Sequence, residues 1–364
     1  MPVSVRDIAR QAGVSSGTVS RVLNGHQGVN AEMRERVLSV ADTLGYERPS
    51  SQRPTLGEAG FLLVVRDVEE DRPQVASFWA DVLYGAELEA RSVGARLVFR
   101  ALHGLDRDPR SVIEQVKDLN LSAAILVGPA PTEAVAALRR PNLPLVLVDN
   151  TLTDHTGHAV MSDNFGGTRA AVEHLVALGH RQIAFVGGPM QPGRPGTNAI
   201  HSIWWRALGY RTALEEHGIA VRPELLENCD LTVAGGAEAA KRLLDGPPLT
   251  AVVAANDPTA VGVLQMFKER GVAVPGDISV VGYDDDPSYH VTPRLTTVHV
   301  DTHGMGAAAV RLLADGFNGS TPAPMVCTLP VQLVVRASSG PVKDFTKIPA
   351  SRPRKKLPNG GKQQ

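Results

Sequence analysis

Two groups of residues in this chain have types and spacing suited to chemistry. The first lies in "VSSGTVSRVLNG", Val14 to Gly25. Ser15, Ser16, Thr18 and Ser20 supply hydroxyls, Arg21 supplies a guanidinium, and Gly17 leaves a gap between them. An arginine so placed reaches guanine O6 and N7 with two hydrogen bonds. Hydroxyls and a helix N-terminus suit phosphate. The second group closes apolar runs: Asp149 ends "PLVLVD", Asn256 ends "AVVAAN" with Asp257 next in the chain, and Asp284 ends "ISVVGYD". Ser202, Trp204, Trp205 and Arg206 crowd into "SIWWRALGY". Carboxylates and an amide beside an arginine offer acceptors and donors to a polyhydroxylated ligand, and an indole packs on the C–H face of a sugar. One of the two tryptophans is expected in the core. Asp257 reads equally as a helix cap or as a ligand contact.

The first group needs short helices to hold it. Gly13 suits the left-handed residue after a helix over Asp7–Ala12, Ser15 suits the cap of a second helix over Ser16–Leu23, and Asn30 caps a third. That third helix carries Met33, Val37, Val40, Ala41 and Leu44 at helical spacing. Ile8, Ala12, Val14, Val19 and Val22 supply the small core. Two helices joined by a glycine-containing turn form a helix-turn-helix, whose second helix enters the major groove. Ser16, Gly17 and Arg21 then point outward, while Ser4 and Arg6 lie at a phosphate-contacting edge. A hairpin that serves packing alone is the competing reading. Its exposed face would be rich in Glu and Lys, whereas this one is small and hydroxylated.

The second group needs parallel sheets. From Gly60 onward, apolar runs ("GFLLVV", "ARLVF", "AAILVG", "PLVLVD", "IAFVGG", "AVVAAN", "ISVVGYD") alternate with amphipathic stretches such as "FWADVLYGAELEARSVG" and "GGTRAAVEHLVALGH". This pattern predicts parallel sheets covered by helices, in two similar lobes over 61–162 and 164–290. A ligand crevice lies at the carboxyl ends of such strands.

Composition narrows the classes. A chain of 364 residues is too long for one ordinary domain. Its apolar runs are far short of a bilayer span, and no export signal opens it, so a cytoplasmic protein without membrane contact is expected. Cys229 and Cys327 are the only cysteines, which fits a reducing compartment. Net charge is −1, but residues 1–60 carry +1, residues 341–364 carry +6, and the body between them carries −8. An acidic body confines polyanion binding to the ends.

The run "VRDIARQAGVSSGTVSRVLNG", followed by Arg34, Val37 and Gly45-Tyr46, closely resembles the reader of the lactose/galactose-repressor (LacI/GalR) family of bacterial transcription regulators. "GGTRAAVEHLVALGHRQIAFVGGP", "ANDPTAVGVLQMFKERGVAVPGDISVVGYDDD" and "TPRLTTVHVD" look like that family's core, so the resemblance spans about residues 3–340. It implies an α plus α/β protein: a helix-turn-helix domain over 1–46, a hinge over 47–59, and a two-lobed periplasmic-binding-protein-like core over 60–340. The N-lobe is expected at about 60–162 and 294–326, the C-lobe at about 163–293 and 327–340, and a basic disordered tail at 341–364.

The resemblance also implies roles. Ser16, Gly17 and Arg21 take base-reading positions, with Ser4, Arg6, Ser15, Thr18, Ser20 and Asn24 beside them on DNA. Gly17 stands where relatives carry a larger side chain. Asp149, Met161, Ser202, Trp204, Trp205, Arg206, Asn256 and Asp284 are expected around a small effector, a sugar ahead of a purine or nucleoside. No metal or cofactor is expected. Relatives insert a hinge leucine into the minor groove, a position that falls on Leu56 here. Pro54 two residues earlier opposes one regular helix over Ser50–Arg53 and Leu56. Partners are then palindromic double-stranded operator DNA, the effector and a second copy of the chain. The proline-rich tail lacks the leucine heptads by which relatives form tetramers, so a homodimer is expected.

Rival classes fit less well. No G-x-G-x-x-G, P-loop or G-x-S-x-G opens a helix after a strand, which argues against an enzyme. A secreted sugar-binding protein would carry an export signal in place of the helices. "DHTGH", Asp154 to His158, holds two histidines three apart, which is weak evidence for a metal site.

Overall fold

The computed structural model describes residues 3–23, 29–44, 46, 56–65, 77–139, 143–151, 157–188, 200–287, 289–317 and 323–343. The chain divides into two units, 1–55 and 56–364.

The first unit holds three helices: α1 (Val5–Ala12), α2 (Ser16–Leu23) and α3 (Ala31–Thr43). Gly13 adopts φ +66° after α1, a conformation glycine enters without penalty. The Ser15 hydroxyl accepts from the Thr18 N–H at 3.1 Å and caps α2, and Asn30 Oδ1 accepts from the Glu32 N–H at 2.9 Å and caps α3. Ile8, Ala9, Ala12, Val19, Val22, Leu23, Val37 and Ala41 form one buried cluster among the three helices.

The second unit contains, in chain order, β1 (Glu58–Val64), α4 (Ser77–Ser92), β2 (Arg96–Leu102), α5 (Val112–Val116), β3 (Ala123–Val127), α6 (Thr132–Leu138), β4 (Leu145–Val148) and β5 (His158–Ser162). Next come α7 (Asn164–Ala177), β6 (Ile183–Gly187), α8 (His201–Glu216), β7 (Leu226–Asn228), α9 (Val233–Asp245), β8 (Ala251–Ala254), α10 (Asp257–Glu269) and β9 (Ser279–Asp284). The last elements are β10 (Thr296–Val300), α11 (Thr302–Phe317), β11 (Val326–Leu329) and β12 (Val331–Val334).

These strands build two six-stranded sheets, ordered β11-β5-β4-β3-β1-β2 and β12-β10-β9-β8-β6-β7. Pairing is parallel throughout except between β10 and β12. Strand side chains alternate between two buried clusters in each sheet. In β1, Phe61 and Leu63 face one cluster and Leu62 and Val64 the other, so both faces are covered and the run reads as continuously apolar. Helices α4 and α11 press together at glycines: a Cβ on Gly85 would lie 2.2 Å from the His303 carbonyl oxygen, and one on Gly306 2.0 Å from that of Val82. This contact fixes the position of α4 and of its first turn.

The chain passes between the lobes at Asp163, Asp301 and Pro330. The expected boundaries require correction here. Strand β10 lies in the C-lobe sheet, not the N-lobe, and β11 lies in the N-lobe sheet, not the C-lobe. Short strands carry little periodicity, and their partners are set by pairing distant in sequence. Residues 341–343 also belong to the core rather than to a tail, since the Val342 N–H donates to the Leu178 carbonyl at 3.0 Å. No helix among the described residues is long and apolar enough to cross a membrane.

Candidate functional site

In the first unit, the buried face of α2 is Val19, Val22 and Leu23, which leaves Ser16, Gly17, Ser20 and Arg21 exposed together. Ser15 and Thr18 share a cap, their hydroxyls 2.9 Å apart. Asp7 accepts from both the N–H and the hydroxyl of Ser4, at 3.0 and 2.6 Å, and these bonds hold its carboxyl below the usual range. Ser4, Ser15 and Thr18 therefore shape the helix ends, while Arg6, Ser16, Ser20 and Arg21 present outward. A Cβ on Gly17 would meet nothing closer than the Ser15 hydroxyl at 3.7 Å, so packing does not require glycine there. Asn24 lies outside the described residues.

Leu56 departs from its expected place. It is 3% exposed and packs into the core below β1, and its carbonyl accepts a hydrogen bond from the Ser122 hydroxyl. A side chain buried among strands is not available to a minor groove. It is not helical, and Ser50–Arg53 lie outside the described residues.

The second unit holds a cavity of about 280 Å³ between the lobes. From the N-lobe come Leu63, Val64 and Val65 at the end of β1, Phe78 and Trp79 in the first turn of α4, Pro129, and Asp149 after β4. From the C-lobe come Ile200, Ser202, Ile203 and Arg206 on α8 and its approach, Asp230, Leu231, Asn256, Pro258, Asp284 and Asp286. Asp149, Leu231 and Asp284 have positive φ values of 55°, 69° and 108°. Backbone held in such sparsely populated regions clusters at sites where surrounding structure over-determines it.

Arg206 organises the C-lobe wall. It is 4% exposed; Nε donates to Asn164 Oδ1 at 2.7 Å, and Nη1 donates to the Ala255 carbonyl and to Asp284 Oδ1, the latter at 3.2 Å. Its guanidinium lies 3.6 Å above the centre of the Tyr283 ring, a cation–π contact. Burial and the neighbouring carboxylates push Asp284 well above the ordinary range, although Arg206 opposes this. Across the cavity, the Ser202 hydroxyl donates to Asp149 Oδ2 at 3.1 Å, and Asp149 Oδ1 is buried without a partner. Burial raises Asp149 to about 6, with Arg206 and Ser202 pulling the other way.

Thus Asp149, Ser202, Arg206, Asn256 and Asp284 converge as expected in one cavity. Asn256 lines it while its own groups are engaged: Oδ1 accepts from the Thr259 N–H at 3.1 Å and Nδ2 donates to the Leu231 carbonyl at 3.1 Å. Asp257 is buried beneath the wall, accepting from the Thr297 hydroxyl at 2.6 Å and the Asp286 N–H at 2.9 Å. Burial first, opposed by these bonds, raises it to about 7.

Trp204, Trp205 and Met161 are not in the cavity wall. Ser202, Ile203 and Arg206 supply the cavity face of α8; at about 100° per residue Trp204 lies on the far side, and Trp205 is held by its aromatic neighbours. Trp205 donates to His201 Nε2 at 2.6 Å and meets Trp204 and Phe165 edge to face, with centroids 4.8 and 6.4 Å apart. Met161 is buried in β5, opposite Thr328 of β11. The aromatic wall is instead Phe78 and Trp79, T-shaped at 4.7 Å. "SFW" comes after the first apolar run, where a strand hands over to a helix at the crevice, and that position was the signal available.

The chain combines a helix-turn-helix unit with a body that has a cavity between two lobes of largely parallel sheet, the make-up of a DNA-binding regulator. Comparison with known proteins agrees. Residues 4–49 match the model for bacterial regulatory proteins of the lacI family, and 172–339 match the periplasmic binding protein-like domain. The HTH-type transcriptional regulator MalR of Streptomyces coelicolor is 34% identical over 351 residues, covering 93% of this chain and 97% of MalR. Two solved structures each cover 93% of this chain and are themselves covered in full. They are a complex of the transcriptional regulator CelR with cellobiose (TM-score 0.68, 29% identity) and a Lac repressor dimer bound to operator and the anti-inducer ONPF (TM-score 0.63, 28% identity). The chain belongs to the LacI family and is a DNA-binding transcriptional regulator.

Proposed function

We propose that this protein is a cytoplasmic repressor whose affinity for a palindromic operator changes when a sugar occupies the cavity between its lobes. One observation carries the effector half: Asp149, buried and with an unpartnered oxygen, faces Ser202, Arg206 and Asp284 of the other lobe across a cavity with an indole on its wall. Sugar hydroxyls satisfy such acceptors, and Trp79 offers the surface for a C–H face. The cellobiose held by CelR supports the same ligand class. Arg21 and Ser16 read bases, with Arg6, Ser4, Ser15, Thr18, Ser20 and the residue Asn24 along the backbone.

Two readers on a two-fold axis match an inverted repeat. Tyr84 and Leu88 on α4 and Phe99 on the edge strand β2 are large, apolar and exposed, which supports a homodimer through the N-lobe. An effector that binds one lobe orientation better shifts reader spacing, and operator affinity changes by that differential, typically ~1–3 kcal/mol. A gel shift on inverted-repeat operators, with and without sugars, tests this. Affinity that no sugar changes, on any operator the protein selects, contradicts it.

A further inference from the structure

We infer that the effector is an uncharged sugar and that the cavity excludes phosphorylated and carboxylated sugars; this rests on the sugar reading of the same site. The two walls differ in kind. Leu63, Val65, Phe78 and Trp79 give the N-lobe an apolar platform, and the polar groups lie opposite, with Asp149 at the junction. Most donors on the polar wall point at protein acceptors: Ser202 at Asp149, Asn256 Nδ2 at the Leu231 carbonyl, and Arg206 through Nε and Nη1 at Asn164, Ala255 and Asp284, which leaves Arg206 Nη2 as its nitrogen open to a ligand oxygen.

Acceptors are in surplus. Arg206 lies 3.2 Å from Asp284, and Asp149 and Asp230 line the same space with no second cation among the described lining residues. Asp149 Oδ1 has no partner and sits on a residue only 8% exposed. An unsatisfied buried acceptor asks for a donor. A hydroxyl provides one without charge. A phosphate or uronate brings anionic acceptors, and like charges at low effective dielectric repel strongly. The ligand that meets both walls has donors on one side, an apolar face on the other, and no anionic group.

Calorimetric titration of the full chain tests this with matched pairs: cellobiose and its 6′-phosphate, maltose and its 6′-phosphate, glucose and glucuronate, galactose and galacturonate. At least one neutral member binds, and its anionic partner binds at least tenfold more weakly, a difference of about 1.4 kcal/mol. An anionic member binding within tenfold of its neutral partner, or more tightly, overturns the inference and leaves the sugar reading standing. If no member of the panel binds, both fall. Asp230→Asn keeps an Oδ1 for the Thr232 N–H and hydroxyl while removing the charge, and the anionic partner should gain at least threefold relative to the neutral one. Asp149→Asn keeps a residue that tolerates positive φ, yet should lower neutral-sugar affinity at least tenfold. Discrimination unchanged in both variants rules out the carboxylates as its source.

Discussion

The Ser202 hydroxyl donates to Asp149 Oδ2 at 3.1 Å, a bond that ties the α8 helix of one lobe to the end of β4 in the other. The same residue lines the cavity, and its second oxygen is buried without a partner. Lobe closure and ligand contact therefore meet on one side chain, with Arg206 as the charge that steadies it.

Arg206→Ala should abolish the sugar response while the reader still binds operator. Removing the guanidinium leaves Asp284 buried without its partner, and breaking such a pair typically costs about 3–5 kcal/mol. Differential scanning calorimetry should show a lowered core transition, and gel shifts should show operator binding that no sugar alters. Retained response with lost operator binding contradicts this assignment.

Trp79→Ala should weaken sugar binding roughly three- to tenfold, the range expected for loss of an aromatic contact. Trp205→Ala should leave sugar affinity unchanged, because its indole meets Trp204, Phe165 and His201 instead of the cavity. Titration of the two variants separates them; the reverse ranking restores Trp205 to the site.

Asp257 makes a pH-dependent contribution. Its carboxyl is raised to about 7 in the fold against an unfolded value near 4, so the folded state binds the extra proton between them. Stability therefore falls as pH rises from about 4 to 7. Burial lowers His174 and His180, which act in the opposite sense, so the difference between variants is the cleaner measure. Relative to the natural chain, Asp257→Asn should gain stability with rising pH over that window, by at most about 4 kcal/mol. Urea melts near the two ends of the window measure it, and a difference independent of pH counts against the carboxyl.

Gly17→Ala should stabilise the reader by about 0.5–1 kcal/mol, since alanine is the better helix former and the added methyl finds open space. Gly17→Gln should fold equally well and change which operators are preferred. Selection from a randomised inverted repeat reads this out. Identical preferences would place Gly17 away from the bases.

Leu56→Ala should lower the core's stability by about 2–5 kcal/mol in the absence of DNA, as truncation of a buried leucine does. A side chain serving only as a DNA wedge would leave that melt unchanged and alter operator bending.

Much of this was legible in one dimension. Gly13, Ser15 and Asn30 marked the helix ends at which they stand, because caps and left-handed turns are decided by a few neighbouring atoms. Seven apolar runs became strands β1, β2, β3, β4, β6, β8 and β9, since strands buried on both faces must be apolar throughout. Asp149 and Asp284 stood out because a crevice opens at the carboxyl ends of parallel strands, and Arg206 stood out through the family resemblance.

The remaining features were decided in three dimensions. That Ser202 and not Trp204 faces the cleft depends on how α8 is rotated about its axis, which the packing of α7 and the sheet settles. Phe78 and Trp79 entered the wall because Gly85 and Gly306 let α4 close on α11. Strands β10 and β11 took the sheets opposite to those expected, and Leu56 went into the core, because partners far apart in the chain compete for them. Local chemistry thus determined the elements and the acidic cleft on its own, whereas which side chains look into that cleft is a property of packed surfaces that no short window contains.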